Sequence, residues 1–254
     1  MNVFITGASS GIGAALAREF AARGASLGLL ARRATELDAL IAQLPGRHRR
    51  YAVDVTDRAQ LIEAVRDFEQ ATGGADIVIA NAGISVGALT EHAQDLPVFD
   101  RIAATNFLAA VSTFHPFVAP MRQRGRGTLA AIASVAGVRG LPGAGAYCAS
   151  KAALISYCES LRVELRGSGV RVVTIAPGFI QTPMTRGNPY PMPFLMSAES
   201  FARHTAQAIL RGTSYRVIPW QMAWAARLLR VLPNRAFDRI VQHRQRKPRA
   251  SPRP

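Results

Sequence analysis

Tyr147 and Lys151 stand four residues apart in a stretch whose apolar spacing predicts a helix over 147–166, so a phenol and an ammonium share one helical face. A tyrosine left to itself titrates near ~10 and exchanges protons poorly at neutrality, but a nearby ammonium favours its ionised form. The pair therefore suits general acid–base transfer to or from an oxygen atom. None of the other four tyrosines has a lysine four residues on, and Lys151 and Lys247 are the only lysines among 31 basic residues. Thirteen residues before the tyrosine, Ser134 ends a predicted strand, where its hydroxyl can donate to a developing alkoxide. Taken singly Ser134 is an ordinary strand-end serine; the set carries the weight.

A second constellation opens the chain. Directly after a strand-like run comes Thr6-Gly7-Ala8-Ser9-Ser10-Gly11-Ile12-Gly13, and then an alanine-rich helical pattern. Glycines at a strand-to-helix turn let the backbone bend sharply and approach a pyrophosphate, whose charge meets the N–H groups and positive dipole of the helix start. Such a pattern is weak alone and gains force from its position between strand and helix. At the end of the second predicted strand the sequence reads Ala31-Arg32-Arg33. An acid there would favour NAD; a small residue followed by arginines leaves room for a 2′-phosphate and offers it charge-assisted hydrogen bonds, so NADP(H) is expected over NAD(H). The plainer alternative is that both arginines simply begin a solvated helix. With such a cofactor in place, the compact charge of Lys151 can contact its ribose while biasing the phenol.

These residues resemble the short-chain dehydrogenase/reductase family over roughly residues 2–220. Matching positions are the glycine turn, Asp54-Val55, Asn81-Ala82-Gly83, Asn106, Ser134, Tyr147-Cys148-Ala149-Ser150-Lys151, and Pro177-Gly178 with Thr182. The resemblance implies that Asp54 and Val55 flank an adenine, that Asn81, Ala82 and Gly83 stabilise the sheet beside the cofactor, and that Pro177, Gly178, Ile180 and Thr182 meet its nicotinamide end. It also implies that Asn106 holds a water linking Lys151 to solvent; the bland reading of Asn106 is a helix-kink residue. The sequence departs at Ala80, where many members carry a second asparagine, and little consequence is expected. The implied activity is hydride transfer between NADP(H) and a carbonyl/alcohol pair, in a homodimer or homotetramer built on the helices carrying Asn106 and Lys151. A rival from another class is a sensor or scaffold of the same fold that binds NADP(H) without turnover; retention of both Tyr147 and Lys151 favours the enzyme.

The elements that must position these groups follow the same rhythm. Runs at 3–6, 27–30, 51–53, 77–79, 129–133 and 170–175 read as buried strands, and helical patterns fill 12–24, 34–44, 57–72, 99–122, 147–166 and 200–211. That alternation predicts an α/β, Rossmann-type doubly wound parallel sheet with helices on both faces, in one domain over 1–232. Pro116 and Pro120 predict a kink or irregular end in the fourth helix. Residues 179–198, rich in proline and methionine, read as a substrate loop, joined by 138–145 and 84–90; their apolar content points to a small hydrophobic carbonyl or alcohol. Residues 219–232 read as an amphipathic helix bearing Trp220 and Trp224, expected to pack on this chain's own core or a sister subunit, with a membrane surface the less favoured partner.

Composition excludes more than it identifies. The net charge is +15, but seven basic residues against Asp238 place +6 of it in a tail over 233–254, read as solvated with a disordered end beyond Ala250, so no nucleic-acid partner is expected. The five histidines show no ligand-like spacing, and no metal is expected. No uninterrupted apolar stretch reaches the ~18 to 20 residues of a membrane span, and Val3-Phe4-Ile5 begins a strand at once, which argues against a leader peptide. Cys148 and Cys158 lie ten residues apart in one predicted helix, too far to bridge, in keeping with packing roles and a cytoplasmic setting.

Overall fold

The computed structural model describes residues 1–243 and 245–249. Its first half alternates β1 (Asn2–Thr6), α1 (Gly11–Ala22), β2 (Ser26–Ala31), α2 (Ala34–Ile41), β3 (His48–Ala52), α3 (Arg58–Thr72) and β4 (Ile77–Ala80). The second half holds α4 (Leu96–Ala103), α5 (Ala109–Arg124), β5 (Gly127–Ile132), α6 (Gly145–Glu164) and β6 (Val170–Pro177). A two-residue pair follows, β7 (Ile180–Gln181) with β8 (Met196–Ser197), then α7 (Ala198–Arg211), β9 (Tyr215–Ile218), α8 (Gln221–Val231) and α9 (Asn234–Val241). Seven strands form one parallel sheet in the order β3-β2-β1-β4-β5-β6-β9, so the expected Rossmann-type doubly wound architecture is present. The chain runs outward one way from β1 to β3 and then crosses back to β4, which opens a crevice above the ends of β1 and β4.

Strands this apolar can exist only with both faces covered. On one face Leu16, Phe20, Phe201 and Ile209 from α1 and α7 pack against Val3, Ile5, Leu27 and Leu29. On the other, Phe68, Phe114, Phe117 and Leu154 from α3, α5 and α6 pack against Phe4, Val78 and Leu129. Each such phenylalanine, wholly removed from water, contributes roughly 1.5–3 kcal/mol. The 3.6-residue spacing of these side chains is why the intervening segments are helices, and Asp57, accepting from the Gln60 amide at 3.0 Å, caps the start of α3.

Several expectations need correction. Pro116 and Pro120 do not end the fourth helix: α5 runs through both, held by burial of Phe114, Phe117 and Met121, and the irregularity is instead a π-helical turn at 104–108. The helical run 93–124 is long enough, and apolar enough over part of its length, to cross a membrane by length and composition alone. It packs against β4, β5, α3 and α6 as a core helix of this fold. The seventh strand, β9, carried no expectation. The tail read as solvated contains α9, which buries Phe237 and Val241, and its Arg249 packs against Asp95; its end beyond Ala250 lies outside the described residues. The two tryptophans do not pack on this chain's core, since Trp220 is 62% and Trp224 64% exposed.

Candidate active site

The strand ends β1, β4 and β5 deliver the glycine turn, Asn81 and Ser134 to one edge of the sheet, and α6 carries Tyr147 and Lys151 back across it. Together they border a crevice of about 1260 Å³. Its lining runs from Gly7, Ser9, Ser10, Gly11 and Ile12 past Arg32, Arg33, Asp54 and Val55 to Asn81, Ala82 and Gly83, and on to Tyr147, Lys151, Pro177 and Thr182. Sites expected from three distant parts of the sequence are thus brought to one surface. Gly13, Asn106, Gly178 and Ile180 lie behind that lining, and Ser134 meets it through its hydrogen bond with the Tyr147 hydroxyl. Ile180 belongs to the core, and Met222 of α8 packs so closely on Gly178 that a Cβ there would lie 2.7 Å from its Cγ.

The turn is built for an anion. The Ser10 side chain makes no capping hydrogen bond to the backbone of α1, and no acid stands in the first turn, so the leading N–H groups and the positive dipole end face the crevice. Gly13 is required by packing: a Cβ there would lie 2.2 Å from the Gly7 carbonyl oxygen. Asn81 locks the turn from β4, its Nδ2 donating to the Thr6 and Gly7 carbonyls at 2.9 and 3.1 Å. Arg33 donates to the Ser9 and Ser10 hydroxyls at 3.0 and 3.2 Å, while Arg32, 71% exposed at its side chain, lies 3.8 Å from Asp54. Burial tends to raise the Asp54 carboxyl, but hydrogen bonds from the Thr56 amide and hydroxyl and the charge of Arg32 outweigh it and hold the group below its usual range. These features fit a dinucleotide whose phosphates meet the turn and whose adenosine end meets the arginines.

At the far end Lys151 is buried, its Nζ donating to the Ile132 carbonyl at 2.7 Å and standing 6.0 Å from the centre of the Tyr147 ring. Desolvation pushes this ammonium down to about 8. Desolvation also pushes the Tyr147 phenol up, opposed by hydrogen bonding with the Ser134 hydroxyl. Ser134 in turn accepts from the Ala136 amide at 3.1 Å, which fixes its side chain. The ammonium keeps donors beyond the one used by Ile132, so it can meet a bound ligand's hydroxyls.

Asn106 sits in the π-helical turn, 1% exposed. Its side chain accepts from the Ile84 amide at 2.8 Å and donates to the Ile84 carbonyl at 3.0 Å and to Ser150 at 3.1 Å. Both ends of the amide are therefore engaged in tying residues 84–90 to α6. Sequence reasoning missed Gln94, Asp95, Pro97, Val98, Arg101 and Thr105 from the start of the long helical run, and Arg249 from the tail, all of which line the crevice. The 179–198 loop divides: Met184 lines the crevice, whereas Phe194, Leu195 and Met196 line a separate cavity of about 480 Å³ against α7 and β9.

Residues 1–190 match the model of the short chain dehydrogenase family. The chain belongs to that family. The most informative relatives agree with it along most of their length. A protein of Myxococcus xanthus (strain DK1622) named an uncharacterized oxidoreductase is 41% identical over 243 residues, 93% of this chain and 94% of its own. A 3-oxoacyl-[acyl-carrier-protein] reductase of Thermotoga maritima is 36% identical over 188 residues, 73% of this chain and 76% of its own. Among solved structures, levodione reductase superposes with a TM-score of 0.79 at 26% identity, covering 87% of this chain and 97% of its own. This short-chain dehydrogenase is an oxidoreductase acting at a carbonyl/alcohol centre, and one solved structure of the same fold, a 3-ketoacyl-(acyl-carrier-protein) reductase from Brucella melitensis that is 23% identical with a TM-score of 0.79, is complexed with NADH.

Proposed function

We propose that this short-chain dehydrogenase uses NADP(H) to interconvert a small hydrophobic carbonyl compound and its alcohol, with Tyr147 as the general acid or base. The observation that supports this most directly is that Tyr147 and Lys151 open onto the same crevice as the anion-binding turn and the Arg32-Arg33 pair. A bound nicotinamide supplies or accepts the hydride. The protein supplies the rest. Ser134 holds and polarises the substrate oxygen, and Tyr147 passes a proton to it in reduction or takes one in oxidation. Lys151 holds the ribose, and its charge favours the ionised phenol, opposing the upward push that burial gives Tyr147. Asn106 keeps Ile84 and α6 in register, and any water relay to Lys151 passes beside it. That the Thermotoga relative is a 3-oxoacyl-[acyl-carrier-protein] reductase supports ketone reduction. The working state is a cytoplasmic homodimer or homotetramer.

The test follows NADPH absorbance across a panel of ketones, for the parent and for Tyr147→Phe. The variant is expected to lose ~10²-fold or more in kcat with NADPH affinity changed less than about threefold. Equal turnover in the variant would remove Tyr147 from the mechanism.

A further inference from the structure

Asp95 is a buried carboxylate that the chemistry above does not use. It is 2% exposed, and its charge is met by Arg249, 154 residues on, whose Nε and Nη2 donate to its two oxygens at 2.8 and 3.1 Å. Those hydrogen bonds, with one from the Leu89 amide at 2.8 Å, hold the carboxyl below its usual range. A carboxylate removed from water needs a partner, and here the partner comes from the C-terminal segment. The exposed Arg32–Asp54 pair has no such requirement, with 71% and 45% of its side chains in solvent.

The backbone of that segment is equally engaged. The Gly87 amide donates to the Pro248 carbonyl at 3.0 Å, and the adjoining Ala88 amide donates to Gly143 at 3.1 Å. Residues 143–144, 87–88 and 248–249 therefore lie edge to edge, one from each of three distant segments. Gly87 is required there: a Cβ would stand 2.2 Å from the Lys247 carbonyl oxygen. Lys247 reaches the third loop, its Nζ donating to the Met184 carbonyl at 3.2 Å. Arg249 then lines the crevice beside Val86, Val98 and Met184, on the surface that Tyr147 also lines. Residues 246–249 lie outside the part of the chain that matches the family model.

From this geometry we infer that residues 246–249 form the outer wall of the substrate end of the crevice, and that the Arg249–Asp95 pair is the latch that sets the size of carbonyl compound admitted. The inference rests on the reductase reading for its consequence, though not for the wall itself. With the latch closed, the loop at 84–90 is pinned between the tail and residues 143–144, and the apolar space above Tyr147 is bounded. With it open, that space extends to solvent, so a small ketone loses wall contacts and a bulky one gains room.

Two variants separate the possibilities, Arg249→Ala and a chain ending at Gln242, each compared with the parent. Hydrogen exchange should show the Gly87 amide losing protection at least tenfold in both, while the Leu89 amide, which keeps Asp95 as acceptor, stays protected in Arg249→Ala. Binding of cyclohexanone and of 2-decalone is read by quenching of reduced-nicotinamide fluorescence in the ternary complex, whether or not turnover follows. The ratio of dissociation constants, bulky over small, should fall about tenfold in both variants. Unchanged protection at Gly87 overturns the wall, and a ratio unchanged within about twofold overturns its role in selection. A parent that shows the expected pattern but reduces no ketone would sink the reductase reading and leave the wall standing.

Discussion

An ammonium buried as deeply as that of Lys151, 4% exposed, destabilises the fold that contains it. Because desolvation brings it down to about 8 from the usual 10.5, the unfolded chain binds the extra proton between those values, and the stability attributable to this residue rises as pH climbs through that window. Lys151→Met should therefore raise Tm by roughly 3 to 8 °C at pH 7, with the gain narrowing toward pH 10, while NADPH-dependent turnover falls ~10²-fold or more. Thermal scans at the two pH values decide it; a variant less stable than the parent at pH 7 would show that the 2.7 Å bond to Ile132 outweighs the desolvation. The adenosine end offers a second residue-scale test. A charge-assisted hydrogen bond contributes about 1.5–3 kcal/mol, so Arg32→Ala and Arg33→Ala should each weaken NADPH binding tenfold or more and NADH binding about threefold at most. Fluorescence titration of both nucleotides checks this, and a parent that prefers NADH would overturn the NADP(H) reading.

At the scale of elements, the π-helical turn at 104–108 has a job that its sequence, Ala-Thr-Asn-Phe-Leu, does not announce. It turns Asn106 inward, where one amide satisfies both the N–H and the C=O of Ile84. Asn106→Ala leaves both groups without that partner and should cost about 1–3 kcal/mol, seen as a Tm lowered by several degrees in differential scanning calorimetry. An unchanged Tm would mean that water replaces the amide without penalty. Legibility in the sequence follows from what each element buries. β1, β4 and β6 are apolar and flanked by helical spacing, so they and the parallel, doubly wound class of the sheet could be read directly. β9, Tyr-Arg-Val-Ile, lies at the sheet edge with two of its four side chains exposed, and so short a half-polar run resembles a loop. The glycine turn, Tyr147 and Lys151 were legible because their chemistry depends on local spacing. Asp95 and Arg249 were not, because an ion pair across 154 residues leaves no local pattern, and a basic tail reads first as solvent.

At the scale of the whole molecule, the surface is uneven in a way that asks for a partner. On α8 the residues Trp224, Leu228 and Val231 recur at helical spacing after Trp220, and all four are more than 60% exposed or at that value, while Met222 and Ala226 on the opposite side are buried. Arg227 stacks over the Trp224 ring at 5.3 Å, so the stripe is edged by positive charge. An apolar stripe of this kind on a helix is normally covered. If a second copy covers it, sedimentation velocity should give a dimer or tetramer, and Trp224→Arg should shift the distribution to smaller species with turnover per chain changed less than about twofold. The two tryptophans are the chain's only ones, so their fluorescence reports this face alone: emission should move to the blue and acrylamide quenching should weaken as concentration rises through the assembly range. A chain that stays monomeric at all concentrations, and whose tryptophans are instead shielded by vesicles containing phosphatidylglycerol but not by phosphatidylcholine alone, would assign the face to an anionic bilayer, because paired tryptophan and arginine then have an apolar and a charged layer to meet.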